Sequence, residues 1–334
     1  MTTRIGINGF GRIGRSFLRQ TLTHPDVEVV AINDLTDNAS LAHLLTYDSV
    51  WRRLDAVVDH DEDSIIVDGR SIRATAHSTP AEIPWREYGV DIVIEATGRF
   101  RSADQARGHL DAGARTVVMS SPGKGVDGMF VMGVNHADFD PQRHTIVSNA
   151  SCTTNCLAPV AKVLHEGIGI RSGLMTTIHA YTGDQRLVDG NHKDLRRARA
   201  AAVNVVPTTT GAAAAVGKVL PELDGRLSGL AVRVPVPTGS LVDLVFTPER
   251  DTDAEEVNRL LREAAAGPLA GILAYTEAPI VSSDIVMDEH SAIVDGLLTE
   301  QVGDQLKVIA WYDNEWGYSH RLLDLTAHIA TQLG

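Results

Sequence analysis

The sequence predicts an α/β protein in two parts, a doubly wound parallel sheet followed by an α+β domain with a mixed or antiparallel sheet. Three observations carry this. Short apolar runs alternate with amphipathic stretches through the first 120 residues, a glycine-rich turn joins the first run to the first such stretch, and beyond residue 156 the apolar runs lengthen and follow one another. The 334 residues exceed the roughly 250–300 at which a single core stops growing, so two domains are expected. Hydrophobic residues at 43% and charged residues at 22% give a globular composition.

The first strand is expected at residues 4–8, and further strands at 27–33, 65–67, 92–95 and 116–119, each a short run rich in Val and Ile. Helices at 13–22 and 103–112 occupy gaps between them, because their apolar residues recur at helical spacing. After a helix at 156–166 come longer runs at 173–179, 230–236, 241–247 and 306–312, which read as strands in series. Segment 183–207 has few strand signals, a basic run and an Ala-rich stretch, and is read as a long ordered loop of the kind that usually carries function. A closing helix at 319–333 places Leu322, Leu325 and Ile329 at helical spacing and must dock on a domain. The expected division is a first domain over 1–151, completed by a C-terminal helix at 315–334, and a second over 152–314.

Gly9-Phe10-Gly11-Arg12-Ile13-Gly14 spells G-x-G-x-x-G between the first strand and the first helix. The absent side chains permit a tight turn and close approach of backbone to a pyrophosphate, which then sits on the helix N-terminus. A second strand ends at Asp34, about twenty residues beyond the last glycine, as the dinucleotide fingerprint requires. The first domain is therefore expected to be of Rossmann type. Asp34 would accept hydrogen bonds from the adenosine ribose hydroxyls and repel a 2′-phosphate, which favours NAD over NADP.

The formal net charge of −13, from 30 basic and 43 acidic side chains, argues against nucleic acid or an anionic membrane as the main partner. No apolar run reaches membrane-spanning length, no secretory segment is evident and no metal ligand set is expected, so the reading is a cytoplasmic protein. Both cysteines lie in Ser151-Cys152-Thr153-Thr154-Asn155-Cys156, which excludes a disulfide framework and points to local thiol chemistry. Cys152 is expected just before a helix starting near Asn155, where unpaired backbone N–H groups would depress its pKa. Cys156, one turn later, reads as a small buried hydrophobe. His179 ends a long apolar strand and enters a polar loop, a position where catalytic groups stand. By themselves Arg196, Arg197 and Arg199 read as a solvated basic face, Asn314 as a turn residue, and Arg233 as a strand charge that must find a partner or a cavity.

The blocks Ile7-Asn8-Gly9-Phe10-Gly11-Arg12-Ile13-Gly14-Arg15, Glu95-Ala96-Thr97-Gly98-Arg99-Phe100, Ser148-Asn149-Ala150-Ser151-Cys152-Thr153-Thr154-Asn155-Cys156 and Trp311-Tyr312-Asp313-Asn314-Glu315-Trp316-Gly317-Tyr318 closely resemble the phosphorylating glyceraldehyde-3-phosphate dehydrogenases. The resemblance covers essentially the whole chain. It implies oxidation of glyceraldehyde 3-phosphate to an acyl phosphate with NAD and inorganic phosphate, by a homotetramer. It implies Cys152 as nucleophile and His179 as base, one anion site on Thr182 and Arg233, and another on Ser151, Thr153, Arg197, Thr210 and Gly211. It further implies that Gly9, Gly11, Arg12, Ile13, Gly14, Asp34 and Ser120 hold the cofactor, and that Asn314 holds the nicotinamide carboxamide.

The chain departs from the family pattern at Ser78, where bacterial members often have a basic residue near the adenine, and at Gly190-Asn191, where NAD-dependent members commonly have Leu-Pro. With Asp34-Leu35 kept, NAD is expected as preferred cofactor with some NADP use. Val50-Trp51-Arg52-Arg53-Leu54, Met287 and Glu289 also depart. Erythrose-4-phosphate dehydrogenase and a nucleotide-binding regulator on the same scaffold are the competing readings.

Overall fold

The computed structural model describes residues 2–333, which divide into two compact units. The first takes in residues 2–130, 136–150 and 319–333, and the second residues 131–135 and 151–318.

In the first unit the strands Thr3–Asn8, Val27–Asn33, Ile92–Glu95, Thr116–Met119 and Ile146–Ser148 are parallel neighbours, with Thr3–Asn8 at the centre and Val27–Asn33 beside it. Their Ile and Val residues are almost all buried, as expected of a parallel sheet covered on both faces. The run expected at 65–67 is a strand, Ser64–Val67, but pairs antiparallel with both Val58–His60 and Arg70–Thr75 at the sheet edge. Short turns such as Asp68-Gly69 connect it, and a two-residue connection permits only an antiparallel neighbour. The helix expected at 103–112 is two short ones, Ala103–Ala106 and Gly108–Asp111. Gly108 stands at the break, where a Cβ would come within 2.8 Å of Ala81 N.

The second unit is built on an eight-stranded mixed sheet. Strand Ile170–Ala180 lies between Leu227–Val234, parallel to it, and Ser240–Pro248, antiparallel; Gln305–Tyr312 pairs with the latter. The parallel register sets His179 opposite Arg233. Helix Cys152–Ile168 buries Thr153 through Ala161 without interruption, so it runs through the core of this unit. Segment 183–207 is irregular apart from the 3-10 turn Ala201–Val203 and the start of strand Val206–Thr209.

The closing helix runs Trp316–Leu333, inside the 315–334 expected for the helix that completes the first domain and three residues ahead of the start at 319 that its apolar spacing gives. Asp313 explains the difference: its Oδ1 accepts the N–H groups of Glu315 and Trp316, both at 2.9 Å, a cap that sequence periodicity cannot register. Leu322, Leu325 and Ile329 are fully buried.

Candidate active site

The thiol stands at the head of a helix. Strand Ile146–Ser148 leads through Asn149 and Ala150 to Ser151, which caps helix Cys152–Ile168 by accepting Thr154 N–H on its Oγ at 3.1 Å. Ala150 turns the chain with a positive φ of 56°, a conformation costing a non-glycine residue about 1–2 kcal/mol. Cys152 is therefore the first helical residue itself, three residues earlier than the sequence indicates, because the Ser151 cap and not the apolar periodicity sets the helix start.

Cys152 Sγ lies 3.4 Å from His179 Nε2. The imidazole is buried at the end of strand Ile170–Ala180. Its Nδ1 is held between the carbonyl of Ala180, at 2.7 Å, and Nη1 of Arg233, which also donates to Ala180 O at 3.1 Å. Arg233 can only donate, so Nδ1 can either accept from it or, with Arg233 kept to Ala180 O, donate to that carbonyl; in the second tautomer the Nε2 lone pair faces the thiol and can take its proton. Burial, reinforced by the Arg233 charge, pushes the imidazole down to about 3, so it is neutral at physiological pH.

The expected depression of the thiol pKa does not hold. Cys152 retains some solvent exposure, but its sulfur is densely surrounded, and burial pushes the thiol above its ordinary value against the opposing Arg233 charge and hydrogen bonds of Thr153. Desolvation outweighs the helix N-terminus, so ionisation depends on transfer of the proton to His179. Cys156 is completely buried beside the Ala310 carbonyl, at 3.7 Å, and burial pushes its thiol well up, as for an inert packing residue.

The residues expected at the anion sites divide into those beside the thiol and those on the adjoining loop. Arg233 reaches the His179 imidazole directly. Thr153 turns its hydroxyl inward to Tyr312 Oη at 2.8 Å, so the backbone is what it offers a ligand. Ser151 Oγ lies 2.7 Å from Thr154 Oγ1. Thr210 Oγ1 accepts Ala212 N–H at 3.2 Å and Gly211 caps helix Ala212–Val219, with nothing within 4 Å of where its Cβ would be. Thr182 donates to Asp184. Arg197 is not part of a solvated basic face. Its guanidinium pairs with Asp184 at 2.7 Å and Asp194 at 3.5 Å and donates to Thr208 Oγ1 at 2.9 Å and Thr209 O at 3.2 Å. Arg199 fits the solvated reading better, in an exposed pair with Asp189.

Asn314 is buried, and its Oδ1 accepts the Ser240 hydroxyl at 2.9 Å. Ser240 Oγ in turn accepts Ala180 N–H at 3.1 Å. With its oxygen placed toward Ser240, the Asn314 NH2 is left for another partner. Ser240 and Tyr312 were not legible as site residues, since each is one polar position in an apolar strand.

In the first unit a cleft is lined by Asn8, Gly9, Gly11, Asn33, Asp34, Leu35, His77, Ser78, Ala96, Thr97, Arg99 and Phe100. It lies at the carboxyl ends of the central parallel strands, where open α/β sheets bind ligands. A dinucleotide fits these residues. Gly9 has φ +94° and a Cβ there would sit 2.6 Å from Thr97 N, while a Cβ on Gly14 would sit 2.3 Å from Gly9 O. Gly11, by contrast, faces open space, and helix Arg12–Thr21 has no side-chain cap that would compete with a phosphate. Asp34 is positioned by Phe10 N–H at 2.7 Å and Thr36 N–H at 3.0 Å. Ser78 lines the cleft and offers no positive charge there.

Arg12, Ile13, Gly14 and Ser120 stand outside that lining; Ser120 donates its N–H to Glu95 O at 3.0 Å. The Arg12 guanidinium is committed to Asp48 and to the face of Trp51, 3.8 Å from the ring centroid. The departure at residues 50–54 thus has a physical role. Asp48 accepts the N–H groups of Val50 and Trp51, and Arg19 donates to Arg52 O, tying the segment to the helix that follows the glycine turn.

Two family models match the chain: glyceraldehyde 3-phosphate dehydrogenase, NAD binding domain, over residues 3–103, and glyceraldehyde 3-phosphate dehydrogenase, C-terminal domain, over residues 151–314. Among curated proteins, glyceraldehyde-3-phosphate dehydrogenase 2 of Streptomyces arenae is 55% identical over 334 residues, covering 100% of both chains. Glyceraldehyde-3-phosphate dehydrogenase of Geobacillus stearothermophilus is 56% identical over 333 residues, 99% of each, and that of Streptomyces coelicolor is 56% identical over 336 residues, 100% of each. With every block that carried the resemblance inside these matches, the chain belongs to the glyceraldehyde 3-phosphate dehydrogenase family.

Proposed function

We propose that the chain oxidises D-glyceraldehyde 3-phosphate with NAD and inorganic phosphate to 1,3-bisphosphoglycerate, in glycolysis or gluconeogenesis. The observation that carries this is the thiol and imidazole pair, Cys152 Sγ to His179 Nε2 at 3.4 Å, at a helix N-terminus in a chain of this family.

The thiol proton passes to His179 Nε2 as Sγ bonds to C1 of the aldehyde, and the same proton completes the hemithioacetal hydroxyl. Bound NAD supplies the hydride acceptor. As the C1 hydride leaves, Nε2 takes the hydroxyl proton and a thioester remains on Cys152. A phosphate oxygen then attacks C1 and gives up its proton to solvent, the C–S bond breaks, the departing sulfur takes the proton held on Nε2, and the acyl phosphate is released with the thiol and the neutral imidazole restored. The imidazole is unprotonated at physiological pH, so its nitrogen is available as the base.

Thr182 and Arg233 form one proposed anion site, and Ser151, Thr153, Arg197, Thr210 and Gly211 the other. Guanidinium forks and backbone N–H groups supply the donors an acidic protein otherwise lacks. Asp184 and Asp194 already balance Arg197, so an anion bound there competes with its carboxylates. Gly9, Gly11, Arg12, Ile13, Gly14, Asp34 and Ser120 hold NAD in the first domain, with Asn314 at the carboxamide. Some NADP turnover follows from Gly190-Asn191. The active form is a cytoplasmic homotetramer; no helix among the described residues is long and apolar enough to cross a membrane.

The test is steady-state NADH formation from glyceraldehyde 3-phosphate with and without phosphate. Turnover should depend on phosphate and vanish in Cys152→Ser while surviving in Cys156→Ser. Phosphate-independent turnover would sink the phosphorolysis step.

A further inference from the structure

Beneath the cleft of the first unit lies a buried polar network that takes no part in the chemistry above. The Glu95 carboxylate, 2% exposed, accepts four hydrogen bonds. Oε1 takes the N–H of Thr97 at 2.9 Å and the Thr97 hydroxyl; Oε2 takes Asn8 Nδ2 at 2.6 Å and His109 Nε2 at 3.1 Å. His109 is completely buried, and its other nitrogen, Nδ1, receives the indole N–H of Trp85 at 3.0 Å. An indole N–H only donates, so Nδ1 bears no proton and Nε2 is the protonated nitrogen that donates to Glu95. The ring is neutral, and the carboxylate stands buried with its charge stabilised by donors alone.

The network continues toward the cleft. Asn8 Oδ1 accepts Asn33 Nδ2 at 2.8 Å, and Asn33 Oδ1 accepts His77 N–H at 2.8 Å. Asn8, Asn33, His77 and Thr97 all line the cleft, and Thr97 N is the atom that a Cβ on Gly9 would strike. An apolar core would hold the sheet together without desolvating a charge. What the carboxylate adds is a fixed position for two loops and for the strand end between them.

We propose that Glu95, oriented by His109, is a positioning residue for dinucleotide binding: it holds Thr97 and Asn8, and through Asn33 also His77, in the arrangement that shapes the cleft. The inference rests on the reading of this cleft as the dinucleotide site. A carboxylate is required because four donors converge on it. Glutamine has one acceptor oxygen and would turn its NH2 against either the Thr97 donors or those of Asn8 and His109.

The test is calorimetric binding of ADP-ribose, which engages the cleft without a nicotinamide, alongside KM for NAD. Glu95→Gln should raise the ADP-ribose Kd about tenfold or more, with KM for NAD rising in step and kcat much less affected. His109→Leu, which removes one donor, should also weaken binding, and His109→Gln, which keeps an N–H for Glu95, should recover most of it. The proposal is overturned if Glu95→Gln melts cooperatively like the unsubstituted protein and binds ADP-ribose within about twofold of it. Should Glu95→Gln fail to fold, equal binding by His109→Leu and His109→Gln overturns it instead. If Asp34→Ala leaves ADP-ribose binding unchanged, the reading of the cleft fails, and the inference with it.

Discussion

His179 is one acid-sensitive point of the second domain, and replacing it by asparagine isolates its contribution from that of the depressed carboxylates Asp184, Asp194 and Asp288. The imidazole sits at about 3 in the folded protein and at the ordinary 6.5 when the chain is unfolded. Because the folded value is the lower one, the unfolded chain binds more protons below pH 6.5, and stability falls with pH from there until the folded ring itself protonates near pH 3. Each pH unit within that window removes about 1.4 kcal/mol, so on moving from pH 7 to pH 4.5 the ring withdraws on the order of 3 kcal/mol. His179→Asn has no such proton to bind. Its stability at pH 7 differs by whatever the lost contacts are worth, but that difference should shrink by on the order of 3 kcal/mol at pH 4.5. Urea unfolding of the second domain, followed by tryptophan fluorescence at both pH values, measures it. A gap that stays constant between pH 7 and pH 4.5 would refute the buried neutral imidazole.

Three other outcomes follow from the geometry. Alkylation of Cys152 by iodoacetamide in cofactor-free protein should accelerate about tenfold per pH unit from pH 6.5 to 8.5, because burial raises the thiol; a plateau below pH 7 would contradict this. Asp34→Asn removes one charge while keeping one of the two side-chain oxygens that accept backbone N–H groups, and should shift the kcat/KM ratio toward NADP by about fivefold to several hundredfold, the span expected for relieving a phosphate repulsion at about 4 Å; an unchanged ratio places the selectivity elsewhere. Gly11→Ala should melt within about 1 kcal/mol of the unsubstituted protein, since its Cβ meets nothing, yet lose NAD affinity, whereas Gly14→Ala should lose both because its Cβ meets Gly9 O; calorimetry and thermal melts of the pair decide.

The parallel sheet was legible because its strands are short runs rich in Val and Ile, and the glycine turn because backbone conformation there excludes side chains. Cys152 and His179 were legible in combination, since a lone thiol and a lone strand-end histidine each have ordinary structural explanations. Helix starts were not, because Ser151 and Asp313 set them by capping, outside any apolar period. Arg197 shows the limit most clearly: its neighbours Asp184 and Thr208 are remote in sequence, and a basic run gives no sign of which guanidinium is paired. The thiol was misjudged for a related reason, as dense packing around a sulfur is a tertiary property and outweighed the local helix terminus.

The closing helix has a consequence for biosynthesis. Leu322, Leu325 and Ile329 fill the interior of a fold whose other strands and helices come from residues 2–150. On the ribosome that interior stays incomplete until residues 151–318 have been made and the helix has left the exit tunnel. The catalytic half, contiguous from Ser151 to Tyr318 apart from Val131–Asn135, waits in turn for its own late strand Gln305–Tyr312, which emerges just ahead of that helix. Both halves therefore close late and nearly together, the nucleotide-binding half last, although its first strands are the first to be made.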